Sequence, residues 1–249
     1  MLFDLISTSQ LRTDATLRSS TPDYQMSSMT FVVHEGAEKQ HMNCPVVGDF
    51  NAANIMGVIG ALRALGVSLK EACIALSDCT AVPGRMELVS EPGKPLMVVD
   101  YAHTPDALAQ ALAALRAISV ARGGKLWCVF GCGGNRDVAK RPLMAQAAEQ
   151  GADQIIVTSD NPRHESPDAI AMQVMAGFAG SHRSHKPQLE LDRAQAIQRA
   201  VLQAAASDVI LVAGKGHEET QEIAGIKHPF SDREQALASL KRRTRGDTV

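Results

Sequence analysis

The stretch LMVVDYAHTPDALAQALAALRAI, residues 96–118, runs from an unbroken apolar segment through a short polar turn into a long Ala- and Leu-rich segment. An apolar run without alternation fits a strand buried on both faces, and the segment after it has a helical pattern. Thr104 stands where a helix N-cap belongs, with Pro105 at the first helical position. The pattern recurs along the chain. The runs LWCVF (126–130), QIIVT (154–158) and DVILVA (208–213) alternate with the helical stretches AKRPLMAQAAEQ (139–150), PDAIAMQVMAGFA (167–179) and RAQAIQRAVLQAA (193–205). Alternation of this kind predicts an α/β domain with a mostly parallel sheet and helices on both faces. KHPF (227–230) reads as a last edge strand, and SDREQALASL (231–240) as a closing helix capped by Ser231 or Asp232. KRRTRGDTV (241–249) reads as a frayed tail.

Upstream the pattern changes. Short alternating stretches, MSSMTFVVHEG (26–36) and HMNCPVVGDF (41–50), precede two helices, NAANIMGVIGALRALG (51–66) and SLKEACIALSD (68–78). Pro83, Gly84, Pro92, Gly93 and Pro95 interrupt any regular element, which places a boundary near residues 85–91 and predicts two parts, 1–86 and 87–249.

With 249 residues, 45% hydrophobic and 21% charged, the chain has the makings of a substantial core. A formal charge of −2 provides no basic field for nucleic acid or a membrane surface, which favours small-molecule partners. No apolar stretch approaches the roughly 18–20 residues of a membrane span, and MLFDLISTSQ lacks the plan of a signal peptide, so a cytoplasmic protein is expected. Five cysteines without a C-x-x-C pair read as buried thiols in a reducing compartment.

In an open parallel sheet, ligands bind beyond the carboxyl ends of the strands. Each apolar run here is followed by polar residues: DYAHTPD, GCGGNRD, SDNPR and GKGHEE. Four neighbouring strand ends would gather Asp100, His103, Arg136, Asp160, Asn161, Arg163, Lys215, His217 and Glu218. Each cluster has a plainer reading, as a helix start, an Asx turn or a solvated loop; their coincidence along one edge favours a site. GCGGNRD lacks the G-x-G-x-x-G spacing of a dinucleotide site, and no G-x-x-x-x-G-K-[ST] phosphate loop occurs. His103, Cys128, Cys132 and His217 match no common zinc spacing, and no metal site is expected.

The ordered motifs VVDYAHTPDAL (98–108), VFGCGGNRD (129–137), DNPR (160–163) and VAGKGHE (212–218) resemble the C-terminal, Rossmann-like domain of the Mur ligases, and within that family the members that add meso-diaminopimelate. GDFNAANIMGVIGAL (48–62) and VPGRME (82–87) are similar to the end of the family's central ATP-binding domain. The resemblance implies an ATP-dependent ligase of peptidoglycan precursor synthesis, joining meso-diaminopimelate to a UDP-MurNAc-dipeptide. ATP phosphorylates the acceptor carboxylate, the incoming amine attacks the acyl phosphate, and phosphate leaves. It implies that Asn51 and Asn54 lie near the adenine, that Arg85 reaches the nucleotide phosphates, and that Asp100, Tyr101 and His103 line the nucleotide side, with Arg85 and His103 catalytic. Arg136, Asp160, Asn161, Pro162, Arg163, Gly214 and Glu218 would hold the incoming amino acid. By the same resemblance the chain corresponds to the C-terminal half of such an enzyme, inactive alone, with the magnesium ligands in the other half. Asn135 departs from the acid this family often carries in GGxRD.

Those residue types suit that ligand. Meso-diaminopimelate carries two amino and two carboxylate groups; arginine pairs with carboxylate in planar, bidentate fashion, while Asp160 and Glu218 accept from ammonium. Two other function classes stand beside the ligase. A free-standing amino-acid-binding module would bind meso-diaminopimelate without turnover, and a nucleotide-dependent oxidoreductase would bind NAD(P).

Overall fold

The computed structural model describes residues 6–7, 16–24, 28–79, 82–178 and 186–243. Two compact units result, Met1–Ala81 and Val82–Val249. The division falls upstream of the boundary read from the sequence because residues 82–86 are bound into the second unit: Met86 N–H donates to the Asp100 carboxylate at 2.8 Å.

In the first unit, β1 (Ile6–Ser7), β2 (Leu17–Ser19), β3 (Asp23–Tyr24), β4 (Met29–Glu35) and β5 (Glu38–Cys44) form one sheet, followed by α1 (Asp49–Ala64) and α2 (Leu69–Ser77). Alternation along β4 turns Met29, Phe31 and Val33 inward, where they meet Met42 and Cys44 of β5, Met56 and Ile59 of α1, and Leu69 and Ala72 of α2. Ser68 and Glu71 close a reciprocal capping box at the start of α2, which fixes where that helix begins.

The second unit contains β6 (Glu87–Val89), β7 (Leu96–Asp100), α3 (Pro105–Ala121), β8 (Leu126–Phe130), α4 (Lys140–Gly151), β9 (Gln154–Val157), α5 (Pro167–Met175), β10 (Gln188–Leu189), α6 (Arg193–Gln203), β11 (Val209–Ala213), β12 (Thr220–Ile223), β13 (Ile226–Pro229) and α7 (Asp232–Arg242). Its six-stranded sheet has the order β10-β9-β8-β11-β7-β6, parallel except for β6. Every residue of β7, β8 and β11 is buried, the physical reason their sequences show no alternation. One face packs Met97, Val99, Val129 and Ile210 against Ile197 and Val201 of α6 and Leu240 of α7. On the opposite side, α3 contacts β8 and β11 and packs on α4, with Leu108, Leu112 and Leu115 buried. Each such leucine is worth about 1.5–3 kcal/mol relative to exposure. The α/β architecture with helices on both faces is therefore as expected, and Thr104 caps α3 as expected, accepting from Ala107 N–H at 3.3 Å.

Two readings of the C-terminal region need correction. KHPF does not edge the main sheet: β13 pairs only with β12, in a separate antiparallel hairpin. All four residues of β13 are exposed, so they have no apolar face to offer a sheet edge, and Ala224 and Gly225, with φ of 51° and 78°, form the two-residue turn that a hairpin of this register favours. The edge beside β7 is instead the antiparallel β6, which follows the VPGRM segment. In the tail, Lys241 and Arg242 continue α7, and Arg243 is buried, donating to the Val201 carbonyl at 2.8 Å; residues 244–249 lie outside the described residues. Of the final helix's two candidate caps, Ser231 is the one used, accepting from Glu234 N–H at 3.3 Å.

Candidate functional site

β11, the last parallel strand in the chain, inserts between β7 and β8, so the carboxyl ends of β7, β11, β8 and β9 are neighbours. The turn after β7 is held by Asp100, whose carboxylate accepts N–H groups of Met86 and Ala102, each at 2.8 Å. Burial raises the Asp100 carboxyl, opposed by those hydrogen bonds and by Arg85. The turn presents Tyr101, with the Arg85 guanidinium 4.7 Å from its ring centroid and the rings of His103 and His217 at 4.8 and 5.8 Å. His103 Nδ1 lies 2.8 Å from the Tyr101 carbonyl. A carbonyl only accepts, so Nδ1 carries the hydrogen, and in the neutral ring the lone pair is on Nε2. Gly84 permits the VPGR segment to pass this close: a Cβ there would lie 2.0 Å from the His217 nitrogen.

The loops after β8 and β9 are laced together. Gly134 N–H donates to the Asn161 carbonyl at 2.9 Å, Arg163 Nη1 to the Gly134 carbonyl at 2.8 Å, and His164 N–H to Asn135 Oδ1 at 3.1 Å. Asn135 and Arg163 both have left-handed backbone, φ 52° and 55°; Asn tolerates this readily, whereas Arg163 is held there by its N–H bond to the Glu222 carbonyl at 3.0 Å. A fully buried Arg141 on α4 secures both loops, donating to Gly133 O at 3.2 Å and to Glu165 at 2.9 and 3.0 Å. These bonds and the Asn135 N–H contact hold the Glu165 carboxyl below its ordinary range.

Asn161 is held at both ends of its amide: Oδ1 accepts from Lys215 Nζ at 2.8 Å and Glu222 N–H at 3.0 Å, and Nδ2 donates to Glu218 Oε2 at 2.8 Å. Lys215, completely buried, also donates to Glu218 at 3.0 Å. Asp160 differs. Its Oδ1 is buried without a hydrogen-bond partner, 3.8 Å from Lys215 Nζ. Burial raises the Asp160 carboxyl, against the opposing charges of Arg193 and Lys215. For Glu218, burial acts upward too, but the Asn161 and Lys215 hydrogen bonds and the Lys215 and Arg163 charges outweigh it, leaving this carboxyl below its usual value.

Behind these loops lies Arg193, fully buried and paired with the fully buried Asp232 by two 2.7 Å hydrogen bonds. Its guanidinium also donates to the carbonyls of Ser159 at 3.2 Å and Ala213 at 2.9 Å. One side chain thus ties the end of β9 to the end of β11, across β8, and fixes the separation of the residues that follow each.

The four strand ends enclose a cavity of about 520 Å³. Tyr101, His103, Arg136, Asp160, Asn161 and Arg163 line it, as do Gly214 and Glu218. Arg85 reaches it only through its contact with Tyr101, Asp100 lies beneath the turn, and Pro162 is buried in the loop. In the first unit, Asn51 donates to the Val47 carbonyl at 2.7 Å and Asn54 is exposed. Sequence reasoning passed over Asp137 and Lys140, which also line the cavity; Lys140 donates to the His103 carbonyl at 2.9 Å. It also passed over Arg141 and Arg193, whose only sequence signal is a charged residue within a helix.

Among the described residues no three His, Cys, Asp or Glu side chains group into a metal site. Cys44, Cys73, Cys128 and Cys132 are buried thiols; Cys79 is exposed, contrary to expectation, because it follows the last turn of α2.

A sequence profile for the family described as Mur ligase, glutamate ligase domain, matches residues 84–216. The UDP-N-acetylmuramoyl-L-alanyl-D-glutamate--2,6-diaminopimelate ligase of Acidovorax sp. (strain JS42) is 52% identical over 218 residues, covering 87% of this chain and 43% of that protein. The protein of the same name from Janthinobacterium sp. (strain Marseille) is 46% identical over 229 residues, 92% of this chain and 44% of its own. A solved structure of a ligase of that name superposes with a TM-score of 0.70 at 38% identity, over 93% of this chain and 46% of the other. The chain therefore spans less than half the length of these relatives.

Proposed function

The chain belongs to the Mur ligase family, and from that premise we propose that its second unit holds the incoming amino acid of an ATP-dependent, peptide-bond-forming ligase of peptidoglycan precursors. The substrates of the whole protein are meso-diaminopimelate, ATP and UDP-MurNAc-L-Ala-D-Glu, and its place of action is the cytoplasm. The observation that carries this reading is a strand-end cavity whose lining includes the carboxylates of Asp160 and Glu218 together with the guanidinium groups of Arg136 and Arg163. An amino acid with charged groups at both ends is complementary to that mixture.

In this reading Arg136 and Arg163 take carboxylates, while the Asp160 carboxylate, which lines the cavity, takes an ammonium. At the reacting amine a proton must leave, the nitrogen bonds to the acyl carbon, and the carbon–oxygen bond to phosphate breaks. His103 Nε2 is the lone-pair acceptor suited to that proton, and the Arg85 guanidinium, stacked on Tyr101, suits the phosphate. Asn51 and Asn54 serve the adenine. Magnesium accompanies ATP in this reading; among the described residues no three His, Cys, Asp or Glu side chains group together to hold it.

Among the described residues no helix is long and apolar enough to cross a membrane. Calorimetric titration of the 249-residue chain tests the reading. Meso-diaminopimelate should bind with one-to-one saturation and L-lysine much more weakly; no binding, or equal binding of the two, would overturn it.

A further inference from the structure

Lys215 has no solvent exposure, a costly position for an ammonium group. Its hydrogen bonds go to Asn161 Oδ1 and Glu218 Oε2, and Asp160 Oδ1 stands 3.8 Å away. The other charged groups facing this cluster are already matched. Arg193, facing Asp160, is paired with Asp232, and Arg163, facing Glu218, has Glu222 at 3.7 Å. What remains is two carboxylates against one internal cation.

We propose that Lys215 is the residue that sets the charge of the cavity's amine end: it neutralises one of the two carboxylates, so that this end presents a single net negative charge and accepts one ammonium group. This rests on the amino-acid reading above and adds a residue that need not touch the ligand. Lys215 is a positioning residue, acting through Asn161, Glu218 and Asp160. Without Lys215 the Asp160 and Glu218 carboxylates, both of which lie beside its ammonium in the parent, would share a proton, and the proton would settle where burial already favours it, on Asp160, the cavity acid that is to accept from the ligand. Lys215 prevents that, and its bond to Asn161 keeps the amide oriented toward Glu218.

The test uses the 249-residue chain and Lys215→Met, which keeps length and removes charge. Carboxyl-carbon NMR of the unliganded chains should show the Asp160–Glu218 pair titrating at higher pH in the variant. Calorimetry with meso-diaminopimelate from about pH 5.5 to about pH 9 should show affinity falling by about tenfold per pH unit below the new midpoint, with recovery to within about threefold of the parent at the alkaline end. An unmoved carboxyl titration, or an equal loss of affinity at every pH, would overturn the proposal by reducing Lys215 to a packing residue. If the parent chain itself fails to bind meso-diaminopimelate, the amino-acid reading falls, while the unliganded titration still decides whether Lys215 sets the charge. Should Lys215→Met not fold, Lys215→Met/Glu218→Gln, which removes one charge of each sign, should fold and titrate Asp160 near the parent midpoint; failure of the double variant to fold would also overturn the proposal.

Discussion

Replacing Arg163 separates a ligand contact from a structural one. In the unliganded chain its Nη1 donates to the Gly134 carbonyl at 2.8 Å, and its Nε lies 3.7 Å from Glu222, so the guanidinium is oriented before any ligand arrives. Arg163→Ala removes both contacts and leaves a ligand carboxylate without its partner; Arg163→Lys keeps the charge but cannot keep the fork. A lost charge-assisted pair in a partly dry cavity costs about 2–4 kcal/mol, roughly 30- to 1,000-fold in affinity. The alanine variant should be the weaker of the two. Backbone strain does not confound the comparison, since arginine, lysine and alanine all carry a Cβ at φ 55°. The assay is calorimetry with meso-diaminopimelate and L-lysine. L-Lysine has no distal carboxylate and should lose little, so the ratio of the two affinities should collapse. An unchanged affinity for meso-diaminopimelate, or an equal fall for both ligands, would refute the reasoning and leave Arg163 as a strut between the β8 loop and the hairpin.

Other consequences follow from the same geometry. Asp232→Ala leaves Arg193 buried and uncompensated and should cost about 3–5 kcal/mol in urea unfolding, whereas Arg193→Met/Asp232→Leu should recover much of that stability. At about pH 8, a thiol reagent should modify Cys79 rapidly and the other four cysteines only after unfolding. Cys44, Cys73 and Cys132 are pushed up by burial to about 11, and Cys128 higher still. Because burial raises the folded Asp160 carboxyl above its unfolded value, its contribution to stability is greatest at low pH and is lost as pH rises through the raised value. Affinity for an ammonium ligand should rise over that same window, as calorimetry at stepped pH would show.

The parallel sheet was legible because β7, β8 and β11 are buried on both faces and so leave unbroken apolar runs. The cavity edge was legible because each of those runs stops at polar residues. Burial of single charges was not. Arg141, Arg193 and Lys215 look like solvated residues in a helix or loop, and only the fold reveals that each donates to carbonyls or acids from neighbouring strand ends. The β12–β13 hairpin escaped for the opposite reason: its residues are largely exposed and carry little apolar pattern, yet Gln221 and Glu222 hold the Asp160 and Asn161 backbone and side chain in place.

The central claim is that the strand-end cavity of the second unit holds an amino acid between its acids and its arginines. Titration of the isotopically labelled 249-residue chain with meso-diaminopimelate, followed by amide and guanidinium NMR, tests it most directly. The account predicts saturable shifts at Gly133, Asn161 and Gly214 and at the Arg163 Nε–H, all with one dissociation constant. Saturable shifts confined to residues away from this cavity, or none at any ligand concentration, would contradict it.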